Sequence, residues 1–133
     1  MTDDPGGAID LMLFTRLDDV VTLAKVFQHV PENTPPPVII LDDVAIDPEE
    51  EMKDSGLWRI TASIVSVIIG PSRKPLRALH KQVMNALDEF RPPDVEGWSF
   101  GMVKHVSTDV TLLDDGRHYY GAQRFSFYVQ PAG

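Results

Sequence analysis

The feature that most constrains this chain is a change of period around Gly70-Pro71. Before it, Trp58, Ile60, Ala62, Ile64 and Ile68 alternate with Arg59, Thr61, Ser63 and Val65, the period of two that puts alternate side chains on one face of a strand. After it, Leu76, Leu79, Val83, Leu87 and Phe90 follow at spacings of three and four, one apolar stripe on a helix. Ser72 offers an N-cap and Pro75 sits in the first turn. A strand with one apolar face and a helix with one apolar stripe bury each other. The pair predicts an α+β fold in which the helix, about residues 72–90, covers the Trp58/Ile60/Ile64 face.

The other segments extend that plan. Ile9, Leu13 and Leu17 share a helical face within Ala8 to Leu17, giving a short N-terminal helix that Asp18-Asp19 interrupts. Asp3, Asp4 and Asp10 suit the positive end of its dipole. Lys25 to Val30 reads as extended and stops at Pro31. Pro31 to Pro37 reads as a stiff linker on an extended polyproline course. Val38 to Leu41 follows as a short buried strand. Trp98 to Val106 alternates as one strand. Asp115-Gly116 marks a hairpin turn, because glycine accepts positive φ and aspartate tolerates it. The strand after it, Arg117 to Val129, puts Tyr119, Phe125, Phe127 and Val129 on one face. The whole is an antiparallel or mixed sheet with one long amphipathic helix and one short N-terminal helix on one face. A length of 133 residues suits a single domain over 1–133.

Charge narrows the function. There are 20 acidic and 12 basic side chains, a net charge of −8. Tight grip on nucleic acid draws on Lys and Arg, so it is not expected here. A protein that DNA slides past without sticking is compatible with such a surface. The charge is also lopsided: residues 1–66 carry 13 acidic and 4 basic side chains, residues 67–133 carry 7 and 8. Asp42, Asp43, Asp47, Glu49, Glu50, Glu51 and Asp54 crowd into residues 42–56, read as a solvated acidic loop or protruding hairpin. Arg73, Lys74, Arg77 and Lys81 sit on the N-terminal half of the long helix. Halves of unlike charge suit head-to-tail association, though a plain solvated surface is the more ordinary reading of such charge.

Chemistry is sparse. With no cysteine, disulfides, thiolate zinc sites and Cys nucleophiles are excluded. His29, His80, His105 and His118 show no metal-ligand spacing, and no phosphate-binding glycine loop occurs. Gly97-Trp98-Ser99-Phe100-Gly101 matches the hydrolase pattern G-x-S-x-G, with Asp109 and His118 as later acid and base. That elbow needs a strand before the serine and a helix after it, whereas here a proline-rich loop precedes and a strand follows. The plainer reading is an edge-strand serine between two packed aromatics. Apolar runs are too short for a membrane helix, and the acidic N-terminus is unlike a signal peptide. We expect a soluble chain with no cofactor, no metal and no membrane contact, made in the cytosol.

Taken in order, the features resemble the tail-terminator (tail-completion) proteins of long-tailed phages. Val26-Phe27 with Val30-Pro31 is similar to that family's short strand and proline turn. Pro36-Pro37-Val38-Ile39-Ile40 resembles its second strand, and Leu57-Trp58-Arg59-Ile60-Thr61 the central strand after a variable loop. Leu76 to Leu87 resembles its helix, and Asp114 to Phe125 its final hairpin. The resemblance implies a virion protein without catalysis. Such a protein forms a ring, usually hexameric, that caps the tail tube, stops its growth and meets the head connector, with DNA passing through the lumen. It implies as partners further copies of the chain, the tail-tube protein and the neck proteins. The acidic residues 42–54 are then expected on the lumen or ring face, and the four basic helix residues at the lumen or an interface. A head-completion or minor tail protein of the same build is the alternative, and a small hydrolase using Ser99 a remote one.

Overall fold

The alternating segment forms strand β3 (Trp58–Ile69), which runs antiparallel to β6 (His118–Pro131) along its whole length. The computed structural model describes residues 4–48 and 56–133. On the other side of β3 lies β2 (Val38–Pro48), antiparallel to it, and beyond that β1 (Lys25–Phe27), parallel to β2. The far side of β6 carries β4 (Trp98–Phe100) and β5 (Lys104–Leu112), both antiparallel to it. The mixed sheet has the order β1-β2-β3-β6, with β4 and β5 sharing the last edge.

Two helices, α1 (Gly6–Val20) and α2 (Lys74–Leu87), pack on one side of this sheet. The fold is therefore the expected α+β arrangement. Ile60, Ala62, Ile64 and Ile68 of β3 and Phe125, Phe127 and Val129 of β6 join Leu76, Leu79, Val83 and Leu87 of α2 in one buried cluster. Ile9, Leu13 and Leu17 of α1 complete it, each fully buried. Each such side chain taken from water contributes about 1.5–3 kcal/mol.

The helices correct the expectation of one long and one short. They have 15 and 14 residues. Asp18 and Asp19 do not stop α1, because both fall on its outer side while Leu17 and Val21 stay buried. The first turn of α1 holds no acid; Asp4 instead accepts a hydrogen bond from the Gly6 amide at 2.8 Å. Asp10 is part-buried, and that burial with nearby Asp4 raises its pKa rather than lowering it. Ser72 is not the cap of α2; the helix is preceded by Arg73 without a side-chain cap, with Pro75 in the first turn as read. Glu89, with φ of 61°, turns the chain out of the helix, so Phe90 reaches the core edge from beyond its end.

Two strands also differ from the reading. Val38 to Leu41 is only the buried start of β2, which continues to Pro48 after a bulge at Asp42-Asp43. The part of residues 42–56 up to Pro48 is thus one arm of a β2–β3 hairpin, the second of the two readings given for it. The Trp98–Val106 strand is broken at Gly101–Val103, where Val103 turns away to exchange backbone hydrogen bonds with Glu89 and Phe90. The proline segment is not straight either: Thr34 N donates to Pro31 O, and Asn33 has φ of 65°. Since β1 and β2 are parallel neighbours, the chain has to double back between them.

Candidate assembly surfaces

Asp42 and Asp43 occupy the β2 bulge opposite Ser63, and Asp47 sits opposite Arg59. All three are exposed. Tyr120 of β6 has its pKa raised by burial first and by the charges of Asp42 and Asp43 next. Glu49, Glu50, Glu51 and Asp54 lie outside the described residues.

The basic set is also exposed: Lys74, Arg77 and Lys81 on the outward side of α2 opposite its buried stripe, and Arg73 just before the helix. Arg73 lies over the Tyr119 ring, 5.9 Å from its centroid. Arg77 faces His80 closely enough to help lower that histidine's pKa. Among the described residues the acids of β2 and the bases of the helix form no ion pair with each other. The ion pairs among the described residues are elsewhere: Arg124 with Asp109 at 2.7 Å, and His118 with Asp115 at the final hairpin. Asp115 also accepts from the Arg117 and His118 amides, which holds its carboxyl at about 2.

The hydrolase constellation does not form. Ser99 is in the middle of β4, opposite Gln130, between the buried rings of Trp98 and Phe100. His118 is twelve residues away along β6, a separation of roughly 40 Å at strand rise. Asp109 lies between them, paired to Arg124. Among the described residues no three His, Asp or Glu side chains converge on a common point, and no helix is long and apolar enough to cross a membrane.

Two features escaped the sequence reading. The first is a buried polar knot under α2. His80 packs on Gly121 of β6, opposite Ser66, while Gln123 donates to the His80 carbonyl at 3.3 Å. Ser66 Oγ, His80 Nε2 and Gln123 Oε1 are each buried without a partner. The alternation of β6 placed Gly121 and Gln123 on the core face, and the helical period places His80, four residues after Leu76 and three before Val83, on the stripe above them; its polar ring kept it out of the core reading. The second is an apolar groove of about 470 Å³ between α1 and the segment after α2. Arg16 borders it, donating from Nε to the Ala86 carbonyl at 2.7 Å with its guanidinium 4.1 Å from the Phe90 ring centre. It satisfies one of the carbonyls left open at the end of α2.

The surface carries separated charges and an apolar groove around an ordinary core. Residues 13–130 match the family of the tail completion protein gp17. The chain belongs to that family. It is a structural protein of the phage tail and resides in the virion. The tail completion fold is shared with a solved chain of the virion of a native gene transfer agent particle: TM-score 0.76, 14% identity, 94% of this chain and 96% of that one covered. At that identity the likeness shows the fold alone. A search of curated proteins finds no match.

Proposed function

We propose that the chain, acting as one domain over residues 1–133, assembles head-to-tail into a ring that caps the finished tail tube. The ring, with six copies as the expected number, ends tube polymerisation and presents its other surface to the head connector. The observation that carries this reading is the extent of the family match: residues 13–130 take in α2, every strand and most of α1, so the role attaches to the whole shape and not to a pocket. A closed ring uses two different patches on each subunit. The exposed acids of β2 and the exposed bases on and just before α2, not paired with each other among the described residues, give the subunit separate surfaces of opposite sign.

On this reading Asp42, Asp43 and Asp47, with the acids that follow them, face the lumen or the ring surface, where negative charge keeps the passing DNA from sticking. Arg73, Lys74, Arg77 and Lys81 face a neighbouring subunit. The reading needs no catalytic step and no cofactor. It is tested in particles lacking the protein: tails of uncontrolled length support it, and tails of normal length joined to heads overturn it.

A further inference from the structure

We propose that Leu112 and Leu113 of one copy seat in the groove between α1 and the post-α2 segment of a second copy. The inference rests on the ring reading for the existence of self-assembly and adds the contact that makes it. Leu112 ends β5 and Leu113 begins the turn into β6, and they are 42% and 40% exposed. Two adjacent leucines at a hairpin tip cost solubility unless something covers them.

The groove has the complementary character. Leu11, Met12 and Thr15 of α1 form one wall, and Phe90, Pro93 and Val95 the other. Its roughly 470 Å³ is open to solvent, and Leu11 is 43% exposed. Tip and groove cannot meet within one chain. Leu112 pairs with Tyr119, while Val95 bridges to Trp98, which pairs with Pro131. Those β6 positions are twelve residues apart, about 40 Å. A knob and a socket at opposite ends of the same molecule define a head-to-tail contact, the kind that closes rings.

Charge agrees with the choice of a second copy over a foreign partner. Arg16 and Asp19 border the groove. Asp114 and Arg117 flank the leucines on the tip, both exposed, whereas Asp115 is occupied by its own turn. One acid and one base on each side allow two opposite-sign pairings at the rim around an apolar centre.

Native mass spectrometry of the full chain, alone and on isolated tail tubes, tests the contact. The variant L112D/L113D removes the knob, and L11D spoils the socket. All three positions are exposed, so both variants should keep the far-ultraviolet circular dichroism spectrum of the folded wild type. We expect each variant alone to remain a single copy. Mixed together, they retain one intact knob and one intact socket and should form a one-to-one dimer and nothing larger. If both variants assemble as the wild type does, the contact is wrong and the ring reading stands. If the wild type itself fails to assemble, even on tail tubes, the ring reading fails and this contact with it. A socket variant that still self-assembles but loses the tail-tube subunit would give the groove to that partner and overturn the proposal. A second measurement avoids charged substitutions: since the chain has no cysteine, Leu113→Cys in one copy and Leu11→Cys in another should cross-link on mild oxidation. Absence of that cross-link in assembled protein overturns the contact.

Discussion

The imidazole of His80, on α2, lies against the bare Cα of Gly121 on β6, filling the place where any other residue would carry its Cβ. Gly121 has no positive φ, so its backbone does not require glycine. The requirement is the approach of the helix: Leu76 Cδ1 is also only 3.3 Å from that Cβ position. This one contact sets how closely α2 sits on the centre of the sheet.

In Gly121→Ala the new methyl group meets a side chain that is 8% exposed and has little room to leave. Overpacking of this kind costs about 1–3 kcal/mol. Urea unfolding should show the loss, and His80→Ala in the same chain should recover most of it. An alanine variant as stable as the wild type would mean that the imidazole swings aside freely.

The same histidine predicts a pH dependence. Burial, with a smaller push from Arg77, holds its pKa below the ordinary 6.5. The unfolded chain therefore takes up this proton before the native chain does. The contribution to stability is complete above pH 6.5 and falls as pH drops below it towards the native pKa. The urea midpoint should decline between pH 7.5 and 5.5, and His80→Gln should flatten that decline. An unchanged slope in the variant would assign the decline to other groups.

How much of this was legible beforehand depends on what each segment shows to the core. β3 and α2 were legible because their apolar residues keep strict periods of 2 and 3.6. The Asp115-Gly116 turn was legible because Gly116, at φ of 69°, has the conformation that residue type favours. The outer half of β2 was hidden although Val44 and Ile46, packed against the core, alternate with exposed Asp43, Ala45 and Asp47, because the density of acids around them reads as a solvated loop. The break at Gly101–Val103 depends on packing against distant segments, and no local pattern carries it; His80 falls on the period of the α2 stripe but its polar ring hid it among the apolar positions. Of the surfaces, charge asymmetry pointed to Arg73, Lys74, Arg77 and Lys81. The groove joins residues from 11 to 95 and exists only in the folded chain.

The exposed ion pair and the core differ sharply in what they contribute. Arg124 and Asp109 keep 42% and 66% of their side-chain surface exposed, so Asp109→Ala should change stability by less than about 1 kcal/mol. Phe125 is fully buried against the helices, and Phe125→Ala should cost about 3–5 kcal/mol. Thermal unfolding of the two variants compares them directly. A larger loss from Asp109→Ala would give the pair a structural role that its exposure does not suggest.

An electron cryo-microscopy reconstruction of the head-proximal end of the intact tail tests the account most directly. It should show copies of this chain joined into a closed ring on the last layer of the tube, around an open lumen. The chain found as isolated copies, or away from that end of the tube, would contradict it.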